Sequence, residues 1–310
     1  MKQQPILGFF LALITVILWS TLPVVLQPLL TAMNAQTIVW FRFVTAAIGI
    51  FLILLFTKKL PKLTALTKNY RWLIILGIVG LSGNFYLFNF SLNYIPAAAG
   101  QVLSPLSSFS MILSGIFLFN ERLGLHQKLG LVLLLIGLAL FFNDRFGDFG
   151  EMNSYALGIL LGLGASFIWV GYGIAQKLML KEFSSQQILL FIYIGCAVVF
   201  TPFKEVEQVS NLTPFTWGCL IFCCLNTIIA YGCYAEALNR WEVAKVSMIM
   251  PQMPILTIIF TELAYLIDPE HFTEPDLNML SYIGAGLVVL GALSAAAGHK
   301  IIYRRQMRRI

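Results

Sequence analysis

The sequence predicts an all-α integral membrane protein: ten transmembrane helices arranged as two inverted five-helix repeats. Three observations carry this. Of 310 residues, 59% are hydrophobic and only 11% are charged, and a water-soluble chain needs more polar exterior than that, so the surrounding solvent is lipid. The apolar residues also fall into ten helix-length runs. Finally, the stretch Leu92–Pro105 returns 146 positions later as Leu238–Pro251, keeping a Leu-Asn pair (Leu92-Asn93, Leu238-Asn239), an alanine (Ala98, Ala244) and a proline (Pro105, Pro251).

Two further correspondences extend the repeat over most of the chain. Gly8 with Trp19 recurs as Gly158 with Trp169, 150 positions on, and Gly130 with Gly137 recurs as Gly284 with Gly291, 154 positions on. Offsets that drift by only a few residues mean two copies of one unit with small loop insertions. The predicted division is 1–143 for the first repeat, 144–153 for an external linker, 154–298 for the second repeat, and 299–310 for a basic cytoplasmic tail.

In order, the first five runs are Ile6–Leu26, Thr37–Phe56, Trp72–Leu92, Ala97–Phe119 and Leu129–Phe142. The second five are Tyr155–Gln176, Ile188–Phe203, Phe215–Leu238, Val243–Ile267 and Leu280–Ala297. At about 1.5 Å of rise per residue, most of these cross a hydrocarbon layer about 30 Å thick. The first follows Lys2 as a signal peptide would, but it is too long for an h-region and lacks a small-residue cleavage pattern, which predicts an uncleaved helix. The fifth is the shortest, and its glycines Gly130 and Gly137 match the tenth run, which argues that it spans. The Leu-Asn pair closing the third run and the alanine opening the fourth predict a tight helical hairpin.

Charge sets the orientation. With the N-terminus inside, 17 of the 20 Lys and Arg residues fall on cytoplasmic segments; only Arg145 and Lys204 lie outside, and Arg42 falls within a helix. Acidic residues take the other side, among them Asp144, Asp148, Glu151, Glu205, Glu207, Asp268 and Asp276. The positive-inside rule therefore predicts two cytoplasmic termini. Because five is odd, the second half then sits upside down relative to the first, an arrangement that places a substrate site near the midplane between halves.

Several functions are disfavoured by the same reading. The basic balance is spread over all cytoplasmic loops, so it points to topology and anionic lipid headgroups rather than to nucleic acid. The five cysteines, Cys196, Cys219, Cys223, Cys224 and Cys233, all fall inside apolar runs and read as small hydrophobes, not metal ligands or disulfides. No metal or cofactor is expected, and no phosphate-binding glycine loop is present to support nucleotide hydrolysis. Gly80-Leu81-Ser82-Gly83 matches the short string of an intramembrane serine protease, but His126, His271 and His299 sit in loops or the tail, so a packing face is the better reading.

The order and spacing of these features resemble the EamA domain of the drug/metabolite transporter superfamily. The resemblance rests on Trp19-Ser20, Arg42, the Leu92–Pro105 hairpin, and Asn120-Glu121-Arg122 ahead of Gly130 and Gly137, and it runs from Gly8 to Leu293. It implies ten helices, cytoplasmic termini and a cavity lined by the first, third and fourth helices of each half. It also implies a secondary active transporter of small organic metabolites such as amino acids, amines or drugs, working by alternating access in the export direction at a bacterial inner membrane. The second half departs from the pattern in having no arginine to match Arg42 and a longer acidic loop from Asp268 to Asp276. The alternative is a membrane sensor or scaffold that reuses the fold.

Candidate substrate contacts follow from polar and aromatic residues at membrane depth. Gln101, Ser104 and Ser108 share one helix face at i, i+3 and i+7, and lipid offers such groups no hydrogen bonds; close helix packing is the plainer role for the serines. Asn84, Tyr86 and Asn89 on the third run and Asn226, Tyr231 and Tyr234 on the eighth add to these. The 146-residue offset aligns Phe85 with Tyr231 and Phe88 with Tyr234. With Trp19, Trp169 and Tyr172 they predict an aromatic-walled pocket for an apolar, aromatic or cationic solute.

Three ionisable residues within helices, Arg42, Glu236 and Glu262, are candidates for gating or coupling, with protons as the coupling ion. Glu236 stands one turn from Arg240, where a local ion pair is the plainer role; Arg42 and Glu262 are at similar depth, close enough to pair or to snorkel outward. Pro105, Pro251 and Pro254 break two helices and are candidate hinges. The expected partners are a small-molecule solute and lipid, with monomer and homodimer equally compatible with the sequence.

Overall fold

The computed structural model describes residues 4–61, 67–119, 124–241 and 243–307. Lys2, Lys62, Arg308, Arg309 and the Asn120-Glu121-Arg122 motif lie outside them, as do the side chains of Leu238, Asn239 and Ala244.

Every regular element among the described residues is helical. The first half comprises α1 (Pro5–Leu30), α2 (Ala35–Phe56), α3 (Lys68–Ser91), α4 (Ala97–Val102), α5 (Pro105–Phe119) and α6 (Leu125–Phe141). A short α7 (Phe146–Glu151) occupies the linker, and the second half follows as α8 (Ser154–Met179), α9 (Ser185–Phe200), α10 (Pro214–Arg240), α11 (Val243–Ile249), α12 (Met253–Ile267) and α13 (Met279–Met307). Among the described residues, seven stretches are long and apolar enough to cross a membrane, and Leu125–Phe141 and Met279–Ala295 are shorter apolar helices. Polar residues start the helices where the apolar runs begin. The side chains of Asn34, Asn153, Ser184 and Thr213 each accept from a main-chain N–H three residues on, and Ser184 with Gln187 completes a capping box.

The fourth and ninth runs are not continuous helices. Pro105 has no N–H to give the Gln101 carbonyl, so the Ser104 N–H takes it at 3.0 Å and Leu106 N–H bonds Leu103 at 3.1 Å, tightening the chain between α4 and α5. The matching stretch Met250–Gln252 around Pro251 is a 3₁₀ turn, after which Pro254 sits in the first turn of α12, where a missing N–H costs nothing.

Helix pairing follows a two-fold exchange of the halves. α3 packs along α8 and its counterpart α10 along α1, while α2 packs on its own counterpart α9 and α6 on its counterpart α13. The counterparts run antiparallel: Gly130 faces Gly291 and Gly137 faces Gly284. In α2 and α9 the start of one meets the end of the other, with Trp40 Nε1 donating to Thr201 Oγ1 at 3.1 Å and Glu205 N–H to Thr37 Oγ1 at 2.9 Å. The core lies along these seams, with Phe43, Leu81 and Tyr193 fully buried. Leu129, Leu135 and Ile136 of α6 and Leu280, Ile283 and Leu290 of α13 point outward and exposed, as lipid-facing positions do.

Gly80 and Gly83 serve the packing role expected of their motif. A methyl group at Gly80 would stand 2.3 Å from the Tyr172 nitrogen, and one at Gly83 would stand 2.5 Å from Ile168 Cδ1, so these glycines let α8 lie against α3.

Candidate functional site

A cavity of about 230 Å³ lies between the halves. Its walls come from α1, α3, α4, α5, α8, α10 and the turn at Met250–Met253, with Arg42 reaching in from α2. Of the residues singled out from sequence, Trp19, Asn84, Asn89, Gln101, Ser104, Ser108, Trp169, Tyr231 and Tyr234 all line it, as do Pro105 and Pro251.

The aromatic side is built by α1 and α10. Trp19 stands edge-on to Tyr231 with ring centroids 5.1 Å apart and lies 5.4 Å from Tyr234. Tyr231 also meets Phe85 at 6.2 Å, so residues aligned by the repeat offset become neighbours across the seam. Such edge-to-face and tilted contacts stiffen the wall.

The polar side centres on Arg42, which is only 2% exposed. Its Nε donates to Thr227 Oγ1 at 3.0 Å, one terminal nitrogen donates to Asn89 Oδ1 at 3.4 Å, and the guanidinium lies 4.5 Å over the Phe85 ring. All these partners are neutral. Gln101, 4% exposed, faces the same void, and no described residue hydrogen-bonds its carboxamide. The Ser104 hydroxyl is likewise without a hydrogen-bond partner.

Main-chain carbonyls freed by the helix breaks or shared with neighbours knit the walls together. Ser166 Oγ donates to the Leu103 carbonyl at 3.1 Å, Asn84 Nδ2 to the Ala165 carbonyl at 2.9 Å, and Thr257 Oγ1 to the Ser20 carbonyl at 2.9 Å. At one end, α4 packs on α12, and Gln27 of α1 clamps the hairpin by accepting from Ala97 N–H at 3.2 Å. At the other end Ser108, exposed, lines the void, and among the described residues α5 and α11 make no comparable packing.

Three candidates stand away from the cavity. Tyr86 accepts from Gln36 Nε2 at 3.3 Å, because its place on α3 faces α2. Tyr172 is 3% exposed in the seam where α8 meets Gly80. Asn226 ties α10 to α1 by donating to the Leu18 carbonyl. The carboxylates lie outside as well: Glu236 pairs with Arg240 at 2.6 Å, and Glu262 accepts from Tyr282, so Arg42 and Glu262 are not partners. The wall also contains Phe85 and Phe88, which the repeat offset places in the aromatic pocket, and Ser166, Met250 and Met253, which the sequence reading did not name. Ser166 was findable, since it sits one turn before Trp169 on the same face.

A family model for the EamA-like transporter family matches this chain twice, over residues 6–143 and 156–297. The chain belongs to the EamA-like transporter family. A Haemophilus influenzae protein named as an uncharacterized transporter is 53% identical over 97% of this chain and 98% of its own length. The Escherichia coli K12 inner membrane transporter YhbE, also named uncharacterized, is 41% identical over 97% and 94% of the two chains. A probable amino-acid metabolite efflux pump of Escherichia coli K12 is 24% identical over 91% of this chain and 92% of the relative. A solved crystal structure shares the fold at a TM-score of 0.65 and 19% identity, covering 96% of this EamA-family chain and 98% of that one. The chain is thus a multi-pass inner-membrane transporter of the drug/metabolite type.

Proposed function

We propose that this chain exports small organic metabolites across a bacterial inner membrane as a secondary transporter, by alternating access through the cavity between its halves. The observation that carries this reading is the cavity itself, a mainly apolar void with an aromatic and a polar side, lined from both halves, bounded where α4 meets α12 and lined at its other end by exposed Ser108 of α5. In this reading ten crossings form two inverted five-helix repeats, divided at the 144–153 linker, with both termini cytoplasmic. The antiparallel run of α6 against α13 and of α2 against α9 supports the inversion, since equivalent helices of an inverted repeat must point in opposite directions. Export and an organic solute draw support from the relative named as an amino-acid metabolite efflux pump.

In the same reading the breaks at Leu103–Ser104 and Met250–Gln252 are the hinges, because they join half-helices that need not move together. The test is flux in liposomes carrying the purified chain. Counterflow of a labelled metabolite, competed by unlabelled solute and weakened by Trp169→Ala, supports transport. Binding that survives while no solute crosses would favour the sensor.

A further inference from the structure

We propose that the cargo carries a carboxylate that docks on Arg42, with its apolar or aromatic body against Trp19 and Tyr234. The proposal rests on reading the cavity as the transport site and names the class of solute it takes.

Arg42 is the only charged side chain lining the cavity among the described residues. The two acidic residues at membrane depth, Glu236 and Glu262, are engaged with Arg240 and Tyr282 outside it. A guanidinium carries five donors, and among the described residues it donates only two hydrogen bonds, to the neutral oxygens of Thr227 and Asn89, with the Phe85 ring against its face. Holding a cation without an anionic partner at this depth is costly, and an anion that enters lowers that cost with charge-assisted hydrogen bonds of planar, forked geometry. A carboxylate matches that fork.

A second observation points the same way. The Gln101 carboxamide and the Ser104 hydroxyl face or border the same void without partners among the described residues, although Gln101 is 4% exposed. Buried polar groups are rarely left unpaired, and an acid held by Arg42 supplies them with acceptors. The aromatic side, by contrast, offers rings for an apolar body. A void of about 230 Å³ lies below the roughly 300–1,000 Å³ of drug-sized sites, which favours a metabolite of single-ring size. The cationic solutes that the aromatic wall alone would admit meet no carboxylate here and face Arg42 instead.

The experiment uses the purified full chain in lipid nanodiscs and follows binding by tryptophan fluorescence and thermal shift. The probes are two matched series: 3-phenylpropionate, phenylalanine, 3-phenylpropionamide and 2-phenylethylamine, and hexanoate, leucine, hexanamide and hexylamine. The expected result is that at least one acid binds about tenfold or more tighter than its amide, while the amines bind weakest. Arg42→Gln should bring acid and amide within about twofold of each other, and Arg42→Lys should keep a weakened preference, since a point charge lacks the fork. If Arg42→Gln does not fold, the wild-type chain still decides: acid binding should fade as pH falls through the solute's own carboxyl pKa, while amide binding stays level. An amine or amide that binds as tightly as the acid, or acids that do not bind at all, would overturn the proposal. Acid binding without counterflow would leave the docking site standing and sink the transport reading, whereas counterflow of amines without acid binding would do the reverse.

Discussion

Gly137 and Gly284 meet backbone to backbone: a methyl group at Gly137 would stand 2.7 Å from the Gly284 carbonyl oxygen, and one at Gly284 would stand 2.6 Å from that of Gly137. Gly130 and Gly291 repeat the contact seven residues along, at 2.5 and 2.6 Å. No side chain fits between α6 and α13 at these points. Between two helices in lipid, such close approach replaces the hydrophobic effect as the source of adhesion.

Gly284→Ala should therefore destabilise the protein by about 1–3 kcal/mol through overpacking. Gly286→Ala, on the same helix with nothing within 4 Å of the added carbon, should leave the melting temperature in detergent nearly unchanged. Equal melting temperatures for the two variants would mean that the α6–α13 seam opens without cost.

These glycines also show what was legible in the sequence. Gly130, Gly137, Gly284 and Gly291 were visible as a repeat, and their recurrence was the ground for expecting two short runs to span. That Gly130 touches Gly291 and Gly137 touches Gly284 was not visible, because a repeat offset relates equivalent positions and says nothing about which of them meet. The cavity residues were read in the same partial way. Nine of twelve proposed contacts reached it because polar and aromatic groups at membrane depth must face protein or a void. Tyr86, Tyr172 and Asn226 satisfied the same condition by facing protein, through Gln36, the Gly80 seam and the Leu18 carbonyl. The place of Arg42 within the wall escaped the sequence because its helix, α2, carries no other cavity residue.

The helix breaks make a kinetic prediction. Pro105 puts Ser104 N–H on the Gln101 carbonyl, and the Leu103 carbonyl accepts from both Leu106 N–H and Ser166 Oγ. Pro105→Ala restores a donor and favours one continuous helix, so solute exchange should slow several-fold while equilibrium binding changes little. A loss of binding as large as the loss of rate would make Pro105 a fixed kink in the wall. Pro251→Ala should behave alike on the α11–α12 side.

Coupling can be separated from packing by the two carboxylates. Glu236 and Arg240 form a half-exposed i,i+4 pair, with side chains 37% and 35% exposed, and such pairs contribute about 0–1 kcal/mol. Glu262 holds Tyr282 outside the cavity. Glu236→Gln and Glu262→Gln should each leave the pH profile of liposome flux unchanged, with stability losses under about 1 kcal/mol for the Glu236 variant. A flattened profile in either would place that residue on a proton path.

Gln101 and Gln27 allow the sharpest division between function and architecture. Both are glutamines beside the hairpin, yet Gln27 is spent on it, accepting from Ala97 N–H at 3.2 Å and reaching the Ile95 carbonyl at 3.5 Å. Gln101 has no such partner and turns its carboxamide to the void. Gln27→Ala should lower the melting temperature by releasing the hairpin from α1, at a cost of about 1–3 kcal/mol for the main-chain N–H left unsatisfied. Gln101→Ala removes no hydrogen bond from the folded protein, so its melting temperature without solute should stay near that of the wild type. Its solute affinity, read by fluorescence titration, should fall roughly three- to tenfold, the worth of one or two hydrogen bonds to the bound molecule. The reverse pattern, a Gln101 variant that melts early yet binds normally, would make this side chain part of the packing of α4 on its neighbours rather than of the binding wall.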